Sequence, residues 1–581
     1  MRILIAFILL IGFAFAQYDV IVVGSEPEGI TAATAAAESG SRTLLITSDP
    51  KLGGLFVMGQ MNSLDLRTDP FNYQQGLFLK WWEQVGKGHS FDVIEAERAF
   101  TTMLSRSGVE VRLGVRDIKP ILEGFSVIGV QADGQTILAQ HLIDATADMD
   151  FATQAGAAYT FGFSGIGFNE RMVDTLVFRI DGVDWQKLSK GVRSKGKEYA
   201  NIDNHVAWGH FGGYPAKYKS VEEGIRLRGL NLGQQNDGSI LVNALLIYGI
   251  NPFDPASVAD GFARAEREAP RIIEYLKAEL PGFENAHYGG VASKLYIRET
   301  RHLKAECTLN VDHILDNRIT EHTVVAGGYP LDVQTLTPYD SGYVYGTPDI
   351  YGAELCVNVP VGLDNLWVVG RAAGYDPIAA SSARVVPFGM ALAEAVGVAA
   401  HWGVVSNLTP RQVVYHDASI QHIRDTLRNR GAYIPEAQAR NPVGPYSHPY
   451  FADYRLMLSR GLAVGGYNNQ PNLDETMKSL SYVYLLSNVG QRFLVNAELG
   501  RVLVGRYPDA NSPLSAELAL IITQDAACQL GYCVDKSWEA LSAYGLAPEN
   551  FPSSDILTRG EMYALASRIT RLTTLTQNPN P

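Results

Sequence analysis

The chain has 581 residues, 46% hydrophobic and 19% charged, with 56 Gly against 27 Pro; this excludes wholesale disorder and a fibrous repeat, and it provides for several domains. Its 48 Lys and Arg stand against 61 Asp and Glu, and the net charge of −13 opposes broad attraction to nucleic-acid phosphates or anionic lipid. No nucleic-acid partner is expected.

The N-terminus reads Met1-Arg2 and then an apolar or small run from Ile3 to Ala16, ending in the small-x-small triplet Ala14-Phe15-Ala16. The run is shorter than the ~20 residues of a spanning helix and predicts a secretory signal peptide, residues 1–16, cut after Ala16. Export to the periplasm, cell envelope or medium is expected, with no transmembrane helix in the mature chain. Tyr18 to Val23 reads as a strand, Gly24-Ser25-Glu26-Pro27-Glu28-Gly29 as a tight turn, Ile30 to Ser39 as an Ala-rich helix closed by Gly40, and Thr43 to Ile46 as a second strand. In such a β-α-β unit the helix start directs N–H groups and a positive dipole end at a pyrophosphate, so a dinucleotide is the natural ligand. Two positions depart from the usual fingerprint: Glu26 replaces the middle glycine of GxGxxG, and Thr47 replaces the acid that holds the ribose. The Glu26 side chain must therefore turn away from phosphate, and the ribose falls to Thr47, Ser48 or Asp49.

Asp49-Pro50-Lys51-Leu52-Gly53-Gly54 follows, and its paired glycines allow close backbone approach to a flavin dinucleotide. Asp92 to Ser107 reads as a helix, Val109 to Gly114 as a strand, and Ile118 to Ile143 as short strands with a turn at Asp133-Gly134. Ile143-Asp144-Ala145-Thr146-Ala147-Asp148 then resembles the IDATGDGD stretch of the FAD-dependent oxidoreductase family, flavoproteins with two dinucleotide-binding motifs; Ala147 stands where that family has Gly. Similar segments follow in family order: Tyr296-Ile297-Arg298-Glu299-Thr300-Arg301, then Gly328 to Gln334, where the family often ends in His, then Asp364 to Arg371 and Ser382 to Pro387. The resemblance runs from about residue 18 to 405. It implies an α/β fold with a Rossmann-like FAD-binding domain, residues 17–150 and 296–405, into which an α+β substrate domain, 151–295, is inserted. It also implies FAD held by Gly24, Ser25, Gly29, Thr47, Ser48, Gly53, Gly54, Ala145, Thr146, Gly370, Arg371, Val386 and Pro387.

Pro387 suits the first turn of a helix, whose start faces the flavin in similar proteins, where its dipole stabilises the reduced form. The apolar stretch Val385 to Val405 contains Pro387, Glu394 and His401, which fit a buried helix better than a membrane span. Arg298, Arg301 and Arg384 are the catalytic candidates, because a guanidinium keeps its charge and can clamp a carboxylate or polarise a carbonyl. Tyr329 and Tyr345 are candidate proton donors. Ala372-Ala373 stands where the family often has Cys and Ser, which argues against a cysteine-flavin mechanism. Neither HExxH nor GxSxG occurs, and no metal is expected. Cys528 and Cys533 lie close enough to pair, with two buried thiols as the alternative, whereas Cys307 and Cys356 read as buried thiols.

A linker and helical connection, 406–445, leads to a mostly α-helical region, 446–581, in which Asn472-Leu473-Asp474-Glu475, Ser515-Ala516-Glu517-Leu518 and Thr558-Arg559-Gly560-Glu561 recur at an interval of about 43 residues. The first and third read as capping boxes. Leu557 to Leu565 resembles the signature of S-layer homology domains, and Gly505 to Ala510 their connecting turn, which implies attachment to a cell-wall polymer. The reading is a secreted oxidoreductase moving a hydride between a small organic substrate and FAD, anchored by its C-terminal repeats. The alternative is an envelope binding or structural protein that keeps the flavoprotein fold without catalysis.

Overall fold

A computed structural model describes residues 16–67, 70–508 and 511–572. The predicted signal peptide, except for Ala16, lies outside the described residues, as does part of the Gly505 to Ala510 turn.

Strand β1, Tyr18–Val23, is an apolar run buried along nearly its whole length, the pattern of a strand covered on both faces. Helix α1, Pro27–Glu38, and strand β2, Thr43–Ile46, complete the β-α-β unit, with Val23 opposite Ile46. Five segments lie parallel in one sheet: Glu110–Arg112 beside β2, then β1, then Gln135–Asp144, and finally Leu366–Val368, which returns from far along the chain. Lys119–Glu123 and Ser126–Ala132 extend this sheet as an antiparallel ribbon. The turn from Ser126–Ala132 into Gln135–Asp144 is at Asp133 and Gly134, both at positive φ.

The helix Val386–Ser406 packs on α1 through small residues. Ala32, Ala33, Ala35 and Ala36 are wholly buried, and a Cβ on Gly397 would lie 2.3 Å from the Ala32 carbonyl oxygen. By length and composition this helix can cross a membrane, but 72% of its apolar window is buried. Its polar residues have protein partners: Glu394 accepts from the Leu77 N–H at 2.8 Å, and His401 meets Ser41 Oγ at 3.0 Å.

Residues 174–291 form a second, antiparallel seven-stranded sheet, with Ile240–Ile247 paired to Asp174–Asp181 and Leu230–Gln234. The long helix Pro255–Glu279 covers it, burying Ala265, Ile272, Ile273 and Leu276. Arg226 and Arg228 are carried on and just beyond its short strand Ile225–Leu227.

In the C-terminal region, Leu514 N–H donates to the Met477 carbonyl, Leu557 N–H to Leu514, and Arg559 N–H to Glu475, each at 2.8 Å. Three segments thus meet in a closed ring, each preceding a helix: Ser479–Arg492, Ala516–Gln529 and Arg559–Ile569. Thr558 and Glu561 make the capping box read from the sequence, and Ser515 caps by accepting from Leu518 N–H. The first repeat is a correction. Asn472 sits at φ 53° and its side chain donates to Glu475, closing a local turn, while the helix starts later, after Lys478. Met477 is therefore equivalent to Leu514 and Leu557. The reading of Cys307 and Cys356 as thiols is corrected as well: they form a disulfide, while Cys528 and Cys533 form the second, at the pair close in sequence. Cys307 and Cys356 are 49 residues apart, and the fold brings them together through backbone contacts between those two segments.

Candidate functional site

The turn after β1 is forced close to the end of the Gln135–Asp144 strand. Gly24 has φ +119°, and a Cβ there would lie 2.3 Å from the Ala145 carbonyl oxygen; one on Gly29 would lie 2.5 Å from Ala145 Cβ. Only glycine lets the backbone curl this tightly over Ala145. Asp144, wholly buried, accepts from Thr146 N–H at 2.8 Å and Ala152 N–H at 2.6 Å, so it organises the loop holding Ala145 and Thr146; burial raises its carboxyl to about 6. Beside this turn lies a cavity of about 850 Å³, lined by Gly24, Ser25, Thr47, Ser48, Thr146 and Arg371 among others. Its size is that of a cofactor site, and the first turn of α1, with Pro27 at its start, leaves N–H donors without intrahelical acceptors.

The two departures in the fingerprint have structural answers. Glu26 accepts from Leu55 N–H at 2.8 Å and faces the turn at Gly54, whose φ is +36°. The carboxylate is thereby held at the start of the short helix Gly54–Val57, although the residue still borders the cavity. The acid missing at Thr47 has a counterpart two residues on: Asp49 accepts from Ser25 Oγ at 2.6 Å and pairs with Lys294 at 2.5 Å. Glu28 lies beneath the turn, where burial, followed by the Glu26 carboxylate, raises its carboxyl to about 8.

Arg371 borders both this cavity and a smaller one of about 120 Å³. It pairs with Asp148 at 2.7 Å and keeps a buried Nε without a partner. Burial pushes the Asp148 carboxyl up, but Arg371, Thr300 and Arg301 outweigh it and hold it below the usual carboxylate range. The small cavity also touches Arg228, Arg298, Arg384, Tyr296 and Pro387. The Arg298 guanidinium stacks 4.3 Å from the Tyr296 ring centre, and Arg384 donates to the Tyr296 hydroxyl at 3.0 Å. Burial would raise that phenol, but Arg384 and Arg298 hold it below its ordinary value. Beyond lies a cavity of about 1200 Å³, which shares Asp65, Arg228, Tyr329 and Pro387 with the small one and adds Trp208, Phe388 and Tyr467. The three cavities share lining residues end to end.

Of the predicted cofactor residues, Gly24, Ser25, Thr47, Ser48, Ala145, Thr146 and Arg371 border the first cavity, and Val386 and Pro387 the small one. Gly29, Gly53, Gly54 and Gly370 act through backbone shape, the last three at positive φ. Pro387 is the second residue of its helix, after Val386. Arg298 and Arg384 reach the small cavity. Arg301 does not: it pairs with Asp150 at 2.6 Å, donates to the Asp148 carbonyl at 2.6 Å and lies over the Phe253 ring, so it joins segments and lines none of the three cavities. Tyr345 is buried beside Gly461 and Arg492, away from them, and burial raises it to about 12. Tyr329 faces Asp65 at 3.4 Å; burial and then Asp65 push its phenol well up. Asp65, Arg228 and Trp208 went unnoticed because nothing local marks them. Gln334 was marked, as a departure from the family's His, and it meets Arg228.

The residues present fit FAD. The glycine turns close against Ala145 leave a cradle beside backbone donors, Asp49 supplies an acid near the ribose position, and the orphaned Arg371 Nε borders the cavity. A family model described as FAD dependent oxidoreductase matches residues 19–427. No curated protein matches the chain by sequence. Among solved structures, similarity is found to a geranylgeranyl bacteriochlorophyll reductase-like protein of Thermoplasma acidophilum, at 14% identity over 71% of this chain and 83% of that one, with a TM-score of 0.35. The p-nitrophenol 4-monooxygenase PnpA of Pseudomonas putida is similar at 11% identity over 76% and 92%, TM-score 0.36, and CtdE in complex with FAD at 14% over 72% and 91%, TM-score 0.35.

Proposed function

Because the chain belongs to the FAD dependent oxidoreductase family, we propose that it is an exported enzyme that moves a hydride between a small organic substrate and FAD at the Pro387 end of its connected cavities. The observation that carries this reading is the shared lining from the Gly24 turn through Arg371 to Pro387. Gly24, Ser25 and the first turn of α1 would take the pyrophosphate, Thr47, Ser48 and Asp49 the adenosine ribose, and Val386 and Pro387 the ring end, in a Rossmann-like domain. Bound FAD would supply a two-electron acceptor or donor. The residues do the rest: Arg384 and Arg298 hold the Tyr296 phenol in place, and Tyr329 donates a hydrogen bond to Asp65 where the small and large cavities share lining. Burial, then Asp332, raises the Asp65 carboxyl above the usual carboxylate range.

Two disulfides support an oxidising compartment and hence export. The ring of three helix-opening segments supports the reading of S-layer-homology-like repeats that attach to a cell-wall polymer. The test is the visible spectrum of the mature chain, followed by acid precipitation and anaerobic substrate addition. Flavin bands, FAD in the supernatant and bleaching by a substrate are expected. A chain that neither carries nor takes up FAD refutes the reading. For attachment, the chain is sedimented with purified cell walls; recovery entirely in the supernatant refutes an anchor.

A further inference from the structure

Four arginines line the small cavity, and among the described residues three of them, Arg228, Arg298 and Arg384, have no carboxylate oxygen within 4.0 Å. Arg371, the fourth, is ion-paired with Asp148 at 2.7 Å, as the enclosed Arg171 is with Asp174 at 2.5 Å. Arg298, 3% exposed, instead donates to the Val173 carbonyl and Thr175 Oγ1, both at 2.7 Å. Arg384 donates to Tyr296 and leaves its Nε buried without a partner, and Arg228 meets the side-chain oxygen of Gln334. Burial, and then the charges of Arg228 and Arg384, draw the Arg298 guanidinium down to about 10 despite Tyr296. The two acids at this cavity have other partners: Asp65 faces Tyr329, and Asp332 accepts from Gln334 Nε2 at 2.6 Å. Clustered guanidinium groups repel one another, and an anion held between them adds to the compensation that the nearby Asp65 and Asp332 supply.

We infer that the small cavity binds the carboxylate of an organic acid substrate, with Arg228, Arg298 and Arg384 as its clamp. The inference rests on the proposed oxidoreductase site and specifies its substrate class. A planar carboxylate suits the flat donor fork of a guanidinium. The rest of the acid extends into the large cavity past Trp208, Phe388 and Tyr467.

The FAD-loaded full chain is titrated with benzoate, benzamide and inorganic phosphate, read both by perturbation of the flavin spectrum and by melting temperature. Benzoate is expected to bind at least about tenfold tighter than benzamide, as charge-assisted hydrogen bonds allow. Arg384→Met and Arg228→Met should each weaken benzoate about tenfold, with benzamide and flavin content unchanged. Arg228 is half-buried, so its variant serves if Arg384→Met fails to fold. Equal binding of benzoate and benzamide overturns the inference. So does tighter binding of phosphate, or variants that keep benzoate affinity and lose FAD instead. The melting readout needs no flavin, so a chain that takes up no FAD fails the proposed function while still reporting on carboxylate preference.

Discussion

Replacing Gly24 by Ala tests the cradle directly. The new Cβ would stand 2.3 Å from the Ala145 oxygen and 2.4 Å from its carbonyl carbon, both backbone atoms, at a φ of +119°. The backbone conformation alone costs an L-residue ~1–2 kcal/mol, and overpacking adds ~1–3 kcal/mol, for a total of about 2–5 kcal/mol. Gly290→Ala is the control: its φ, +116°, matches that of Gly24, but its Cβ would meet nothing within 4 Å, so it carries only the first cost. Urea unfolding of both variants separates overlap from φ. If half of the overlap is relieved by pushing Ala145 off the turn, the cradle opens and FAD binding weakens by roughly tenfold, read as quenching of flavin fluorescence. Equal destabilisation in the two variants, or unchanged FAD affinity in Gly24→Ala, refutes the tight turn as the basis of the site.

Glu26→Gln keeps an acceptor for Leu55 N–H but removes a negative charge at the cavity edge. Tightening of FAD binding by roughly fivefold at low salt, from about 1 kcal/mol of relieved repulsion, is expected in the same titration; weaker binding contradicts it. Glu28, raised from 4.5 to about 8, binds its proton more tightly folded than unfolded, so it lowers stability progressively as pH rises from about 4.5 to 8. The difference in unfolding free energy between Glu28→Gln and the parent should grow across that window by up to about 1.4 kcal/mol per pH unit, and a flat difference rejects the burial argument. Reduction acts unequally on the two bridges. With loops of 49 and 5 residues, chain entropy predicts losses of about 4 and about 2 kcal/mol for Cys307→Ser and Cys528→Ser, measured by urea unfolding; the reverse order counts against that account.

What could be read from the sequence follows from the range of the interactions. The strand Tyr18–Val23, the turn at Gly24 and the strand Thr43–Ile46 are set by apolar runs and a positive-φ glycine a few residues apart, and they lie where they were expected. Asp92 capping the helix Val93–Ser107 is equally local. Asn472 and Glu475 show the limit of local reading: the spacing of a capping box is present, yet Asn472 adopts a left-handed conformation and a turn forms instead. Contacts between distant segments leave weaker traces. The spacing of Cys307 and Cys356 gave no hint of pairing. Arg301 shared its motif with Arg298, but three residues along an extended segment lead away from the cavities to Asp148 and Asp150.

The C-terminal region also belongs to the site's architecture, which bears on whether it is only an anchor. Tyr467, Asn468 and Asn469 border the large cavity, and Asn469 receives Thr347 N–H and donates to the Thr347 carbonyl, both at 2.8 Å. Gly465 N–H also bonds the Tyr345 carbonyl at 2.9 Å. Asn469 has φ 57°, so Asn469→Gly removes the side chain without adding backbone strain. Losing two hydrogen bonds at about 0.5–1.5 kcal/mol each loosens Thr347 and the cavity wall. Benzoate affinity should fall severalfold while FAD, whose proposed holders do not include Thr347, is retained with unchanged affinity. An appended anchor that leaves the cavity alone predicts no change in either, and that result would separate the C-terminal region from catalysis.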